Sequence, residues 1–297
     1  MSRLGSLLNL LLILLAVGCR LPGRDNPVPQ SLLDCRRLSQ QGVAALDRGQ
    51  TTEAERLLEK AIAACPTDSE AHRHHAEALW QRGARPEAIA QLEEASRLAG
   101  EDAASSTRLA EMYLACGRVD DAAKKVQRVL DLEPKSAAAW AIRAGIMRAA
   151  NRPEEALADN LRALGYAPHD RQVLQQVATL YQQLNQPQRA LQTLQTLAET
   201  YSPGEEPAQV LSLLGGSYLA LGRYDEAIHS LTIATARADA TADMYCQLGE
   251  AEMLAGHPLS AASAARQALA KQPRHEGGRA LLERIETAQR PKGSLWR

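Results

Sequence analysis

An all-α array of about seven helix-turn-helix units, closed by one further helix, is the fold this sequence predicts. Three observations predict it. Alanines recur at a step of 34 residues, small residues and Gly or Asn keep fixed distances from them, and aromatic residues amount to 3% with no Phe at all. Thick β-sandwich cores draw on aromatic and β-branched side chains, so this balance leans to closely packed helices.

The first 18 residues stand outside that pattern. Arg3 and the amino terminus give a positive start, and Leu7 to Gly18 is apolar except for Asn9. A run of this length is short of the roughly 20 residues a bilayer crossing needs, so it reads as the apolar region of a signal peptide. It ends in Leu15-Ala16-Val17-Gly18-Cys19, which resembles the lipobox of bacterial lipoproteins. That resemblance implies cleavage before Cys19 and acylation of its sulfur and new amine, and several acyl chains together hold a protein firmly. The alternative is an ordinary cleaved signal beside a coincidental cysteine. Residues 19–34 then form a tether: Pro22, Pro27 and Pro29 with Gly23, Asp25 and Asn26 cannot propagate a helix.

The repeats occupy residues 35–275. Ala54, Ala88, Ala122, Ala156 and Ala190 are each 34 apart; three extra residues precede Ala227, and Ala261 follows after another 34. Twelve residues before these alanines stand Gly42, Ala76, Ala110, Ala144, Ala178, Gly215 and Gly249. Five residues before them stand Gly49, Gly83, Gly117, Asn151, Asn185, Gly222 and Gly256. Small residues at a helix crossing let two backbones approach closely. Gly or Asn supplies the left-handed residue that reverses the chain. Pro66, Pro134, Pro168 and Pro273 close four of the units. Leu58, Leu92, Val126, Leu194 and Leu231 fill the second helices, and Leu109, Val177, Leu214 and Leu248 the first.

The set resembles the tetratricopeptide repeat. Trp140 stands at that family's early aromatic place, Tyr113, Tyr181 and Tyr218 at its mid-helix tyrosine, and Tyr224-Asp225-Glu226-Ala227 at the start of its second helix. Departures fall in and before the fourth unit, with Asn160 and Arg143 at usually apolar places and Gly100 in place of a closing proline. The resemblance implies a right-handed α-solenoid whose first helices line a concave face. It also implies a binding module for other proteins or peptides, without catalysis or cofactor.

Residues 276–290 continue as a capping helix. Leu281, Ile285 and Ala288 share one face, as the exposed end of a repeat array requires. The tail 291–297, with Trp296, is expected to be disordered.

Motifs that carry chemistry are incomplete. His275-Glu276-Gly277-Gly278 meets Arg279 where a zinc peptidase needs its second histidine, and Gly215-Gly216-Ser217 meets Leu219 where a nucleophile elbow needs glycine. His72, His74 and His75 crowd one turn with no evident carboxylate or thiol to complete a metal set, so no metal site is expected. Cys35 and Cys65 fall at neighbouring ends of the first hairpin, where a disulfide or two buried thiols are both open readings.

Net charge is −1, with no basic excess to neutralise phosphates, which argues against nucleic acid. The concave face implied by the family collects Arg73, Glu77, Trp80, Thr107, Glu111, Arg148, Gln172, Gln175, Thr179, Gln182, Gln183, Asp243, Cys246, Glu250 and Met253. Ser39 and Val43 replace the Lys and Asn with which chaperone-binding members clamp a terminal carboxylate, so chaperone tails are not expected. The reading is an adaptor held by lipid at a bacterial envelope membrane, facing the periplasm, with envelope proteins as partners. Arg20 after the cysteine favours the outer membrane slightly. A glycan- or small-ligand-binding lipoprotein, or a structural spacer, are the alternatives.

Overall fold

A computed structural model describes residues 30–289. Cys19, the signal segment, the tail and most of the expected tether lie outside these residues. Among the described residues there are fifteen α-helices and no strand, and none of the helices is long and apolar enough to cross a membrane. The chain divides into two compact units, one up to Leu98 and one from Ala99 on.

The first unit holds α1 (Gln30–Asp47), α2 (Thr51–Ala64), α3 (Ser69–Arg82) and α4 (Arg85–Ala99). The second holds α5 (Ala103–Ala115), α6 (Val119–Leu132), α7 (Ala137–Ala149), α8 (Pro153–Tyr166) and α9 (Arg171–Gln183). It continues with α10 (Pro187–Ala198), α11 (Ala208–Ala220), α12 (Tyr224–Thr235), α13 (Ala242–Leu254), α14 (Pro258–Lys271) and α15 (Glu276–Gln289). Within the second unit, five helix pairs follow one another. Each second helix packs on the next first helix, and α15 packs on both α13 and α14. The first helix begins at Gln30, inside the segment expected as tether, because the last tether proline is Pro29 and nothing beyond it interrupts a helix.

The small-residue rule accounts for the pairing. All seven alanines of the 34-residue step are fully buried, as are Ala76, Ala110 and Ala178. Where glycine takes the facing place, contact is closer still. A Cβ on Gly42 would stand 2.6 Å from Leu58 Cγ, and one on Gly215 2.5 Å from Leu231 Cγ. Each unit then reverses through a left-handed residue. The seven expected Gly and Asn positions all carry positive φ, Asn151 at 57° and Asn185 at 54° included. Residues before the closing prolines are extended, with φ of −139° at Cys65, −130° at Glu133, −134° at Ala167 and −138° at Gln272. This is the restriction a following proline imposes. Gly100, where a proline is missing, turns the chain at φ 87° instead.

A second 34-residue register emerges that the sequence reading missed. Asp68, Asp102, Ser136, Asp170 and, after the insertion, Thr241 precede first helices, and each side chain accepts a hydrogen bond from the opening turn. Such caps contribute about 1 kcal/mol each. His275 takes the same place before α15, its Nδ1 accepting from Gly278 N at 3.1 Å. The insertion itself is pinned. Arg171 stacks on Tyr201 at 4.1 Å and donates to the Thr200 carbonyl, while Arg237 donates to Gly204 O at 2.6 Å.

No disulfide joins Cys35 and Cys65. Both pack against α2 at the expected end of the hairpin, but Cys35 Sγ donates to Asp68 Oδ2 at 3.2 Å. Burial, then Asp68 and Cys65, push the Cys35 thiol up to about 12, so it stays protonated and serves as a donor.

Candidate functional site

First helices carry three kinds of residue at the places expected to face a partner. Some stay open. Gln172 and Gln183 on α9 and Arg148 on α7 are exposed, and Gln175 and Thr179 are half-buried between them. The Thr179 hydroxyl donates to Gln175 O at 2.9 Å, within its own helix. In the first unit Arg73 is exposed and paired with Glu70, Glu77 is half-buried, and Trp80 lies half-buried with the Arg85 guanidinium 5.5 Å from its ring centre.

Others are already engaged. Gln182 Nε2 donates to Leu213 O and to Ser217 Oγ, both at 2.9 Å, tying α9 to α11 instead of facing a ligand. A long amide reaching a neighbouring carbonyl satisfies two polar atoms at once, and the 34-residue spacing alone does not reveal that reach. The seventh pair differs as a whole, because α15 lies on α13. Asp243 accepts from His275 Nε2 at 2.9 Å, Glu250 pairs with Arg284 at 3.3 Å, and Met253 packs beside Leu281 and Ile285. All three meet the capping region, Met253 half-buried there while Asp243 and Glu250 stay exposed. Leu281 and Ile285 are buried as expected, whereas Ala288 is exposed.

A third group borders pockets. Thr107 and Glu111 on α5 line a hollow of about 380 Å³ with Arg108 and Glu133, and Arg108 holds Glu111 at 2.8 Å. A larger cavity of about 490 Å³ opens between α6, α7 and α8, where Arg143, Arg152 and Arg162 face Glu155 and Asp159. Its guanidiniums are matched within the cavity. Arg143 grips Asp159 through two bonds of 2.8 and 2.6 Å, and Arg152 grips Glu155.

Cys246, His275 and Asp243 line up as thiol, imidazole and carboxylate, with Cys246 Sγ 3.3 Å from His275 Nδ1. The order is that of an activated nucleophile, but the roles differ. Nδ1 already accepts the Gly278 amide, which leaves the proton on Nε2 facing Asp243. Burial, then Asp243 and Glu250, raise the Cys246 thiol to about 11, so the imidazole caps a helix and the thiol is not activated.

The histidine turn is where the sequence reading fell short. His72 is buried with an oxygen opposite each ring nitrogen, Gln91 Oε1 2.7 Å from Nδ1 and Pro66 O 3.0 Å from Nε2. His75 is buried with neither ring nitrogen in a hydrogen bond, and Glu55 and Glu59 of α2 approach it. Glu55 and Glu59 lie on α2 and His75 on α3, so no motif within either helix signals this meeting.

These features define a class: α-helical repeats built from successive helix pairs. Tetratricopeptide-repeat family models match residues 45–105 and 79–146, and again 178–243 and 212–276, together more than half of the chain. The chain belongs to the tetratricopeptide-repeat family. No curated protein matches it. Among solved structures, a tetratricopeptide-repeat protein from Parabacteroides merdae is similar at a TM-score of 0.62 and 15% identity, covering 86% of this chain and 99% of its own. PilW, described as a widely conserved type IV pilus biogenesis factor, is similar at 0.62 and 20%, covering 72% of this chain and 98% of its own. Cut9, from an APC/C Cut9–Hcn1 complex, is similar at 0.50 and 16%, covering 85% of this chain and 42% of its own. At these identities the likeness is one of fold.

Proposed function

We propose that the chain is a non-catalytic adaptor, held by lipid on Cys19 at a bacterial envelope membrane and facing the periplasm, that binds protein or peptide partners on its first helices. The family supports the protein-binding part, since its repeats present side chains from a stiff frame. The observation that carries the assignment to a surface is the glutamine strip of α9. Gln172, Gln175 and Gln183 stay open or half-open while the opposite face of the same helix buries Val173, Val177 and Tyr181. Amides offer donors and acceptors together, which suits the backbone of an extended peptide. The glycan alternative would use Trp80 and the glutamine face, and Trp80 is half-buried with the Arg85 guanidinium 5.5 Å from its ring centre.

A photo-reactive residue placed at Gln183, against the same residue at Gln195 on α10, tests the surface in cells. One envelope protein captured from Gln183 and not from Gln195 supports the reading; equal capture at both sites overturns it. The anchor is tested separately by Cys19→Ala, which should abolish labelling by a palmitate analogue and release the chain from membranes. Label retained in that variant would refute lipidation at Cys19. The lipobox-like Leu15–Cys19 run supports this part of the proposal.

A further inference from the structure

We propose that Glu55, Glu59 and His75 form a binding site for a divalent transition-metal ion, with zinc(II) the best fit to these donors. It lies in the first unit, shares no residue with the glutamine strip of α9, and does not depend on the adaptor reading.

The starting observation is a buried imidazole with no well-formed hydrogen bond on either ring nitrogen. His75 is 6% exposed, and neither Nδ1 nor Nε2 completes a hydrogen bond. Gln91 stands beside both histidines, its Oε1 2.7 Å from His72 Nδ1 and its side chain also acting on His75. A buried polar group left unpaired costs on the order of 1–3 kcal/mol, and an alanine or leucine there would avoid that cost.

Two carboxylates stand where a metal would need them. Glu55 and Glu59 are four apart on α2, hence on one face, where like charges repel each other. One ligand atom from each of the three residues can be chosen so that all lie within 4.8 Å of one another. Ligands of a tetrahedral zinc sit at about 2.0–2.2 Å from the metal, hence about 3.4 Å apart, so side-chain movements of roughly 1.4 Å or less close the set. Water would complete the coordination. A nitrogen donor favours zinc over magnesium or calcium, which take oxygen ligands.

One cation already competes. Arg82 grips Glu55 through Nε at 2.7 Å and Nη2 at 2.9 Å, whereas Glu59 has no ion pair among the described residues. A bound metal would share Glu55 with Arg82 or displace it, and would tie α2 to α3. That predicts an unusual sign: removing a positive side chain should strengthen metal binding.

The test is zinc titration of the full chain after chelator treatment, followed calorimetrically and, with cobalt(II), by visible absorption. One saturable equivalent is expected, weakened about 100-fold or more in Glu59→Gln and in His75→Asn and tightened in Arg82→Gln. Magnesium should not compete. Because Glu59 is exposed, Glu59→Gln should keep the metal-free unfolding midpoint while losing the upward shift that zinc gives the parent chain. The absence of a saturable equivalent overturns the proposal. So does binding that persists unchanged in Glu59→Gln, which would assign it to the other histidines and thiols.

Discussion

The fourth and fifth helix pairs share one backbone plan and fill it with opposite chemistry. In the fifth, Val177 and Leu194 are buried at the crossing of α9 and α10, and Leu174, Leu191 and Leu197 extend the apolar contact. At the matching places of the fourth stand Arg143 and Asn160, with Asp159 where the fifth has Thr193. The fourth pair stays assembled because its polar groups answer one another. Arg143 clasps Asp159, whose side chain is 5% exposed, and both Arg143 and Arg162 lie over the Trp140 ring, at 4.2 and 4.7 Å. Trp140 in turn donates to Pro134 O at 2.9 Å. Asn160 is less well served, its Oδ1 being buried without a partner. The comparison teaches that this repeat requires small residues at the crossing, and tolerates charge beside it only as a matched pair.

The sharpest way to break the comparison is Asp159→Ala. It leaves a mostly buried guanidinium without its counter-charge and should cost about 3 kcal/mol. Its counterpart Thr193→Ala removes a hydroxyl bonded only within its own helix and should cost about 0.5 kcal/mol or less. Denaturant midpoints of the two variants, side by side, decide this. Equal losses would show that the ion pair does not hold the fourth pair together.

Transplanting the fifth solution into the fourth gives a smaller effect of opposite sign. Arg143→Val, Asp159→Thr and Asn160→Leu together should leave stability unchanged or raise it by up to about 2 kcal/mol, as apolar replacements of buried ion pairs often do. A clear loss would mean that the cavity beside α8 depends on its charges for shape. The smallest effect lies in the turns, which the two pairs share. Asn151→Ala and Asn185→Ala each force alanine to positive φ and should each cost about 1 kcal/mol. Unequal costs in that experiment would show that the turns, too, depend on their pair.

The side chains proposed to meet a partner were harder to read than the frame. Gln172, Gln175 and Gln183 were legible because a polar strip opposite an apolar one needs only helical periodicity. Gln182 was not, because its amide is satisfied by groups 31 and 35 residues away in sequence. Met253 looked open in a repeat considered alone and is half-buried beside the following helix, whereas Asp243 and Glu250 stay exposed and pair with His275 and Arg284 near it. Of the two open readings for Cys35 and Cys65, the structure has free thiols, with Asp68 offering Cys35 a hydrogen bond that chain proximity does not reveal.

The sequence by itself determined the step, the paired helices and the reversals. Each of these follows from local sterics: a small side chain where backbones cross, a residue tolerant of positive φ where the chain turns, a proline where a helix must stop. Only the tertiary structure decided which polar side chains remain available, because a hydrogen bond or ion pair is set by positions in space that neighbouring helices supply. It also brought Glu55 and Glu59 to His75, a meeting of two helices that motif spacing along one strand of sequence does not encode.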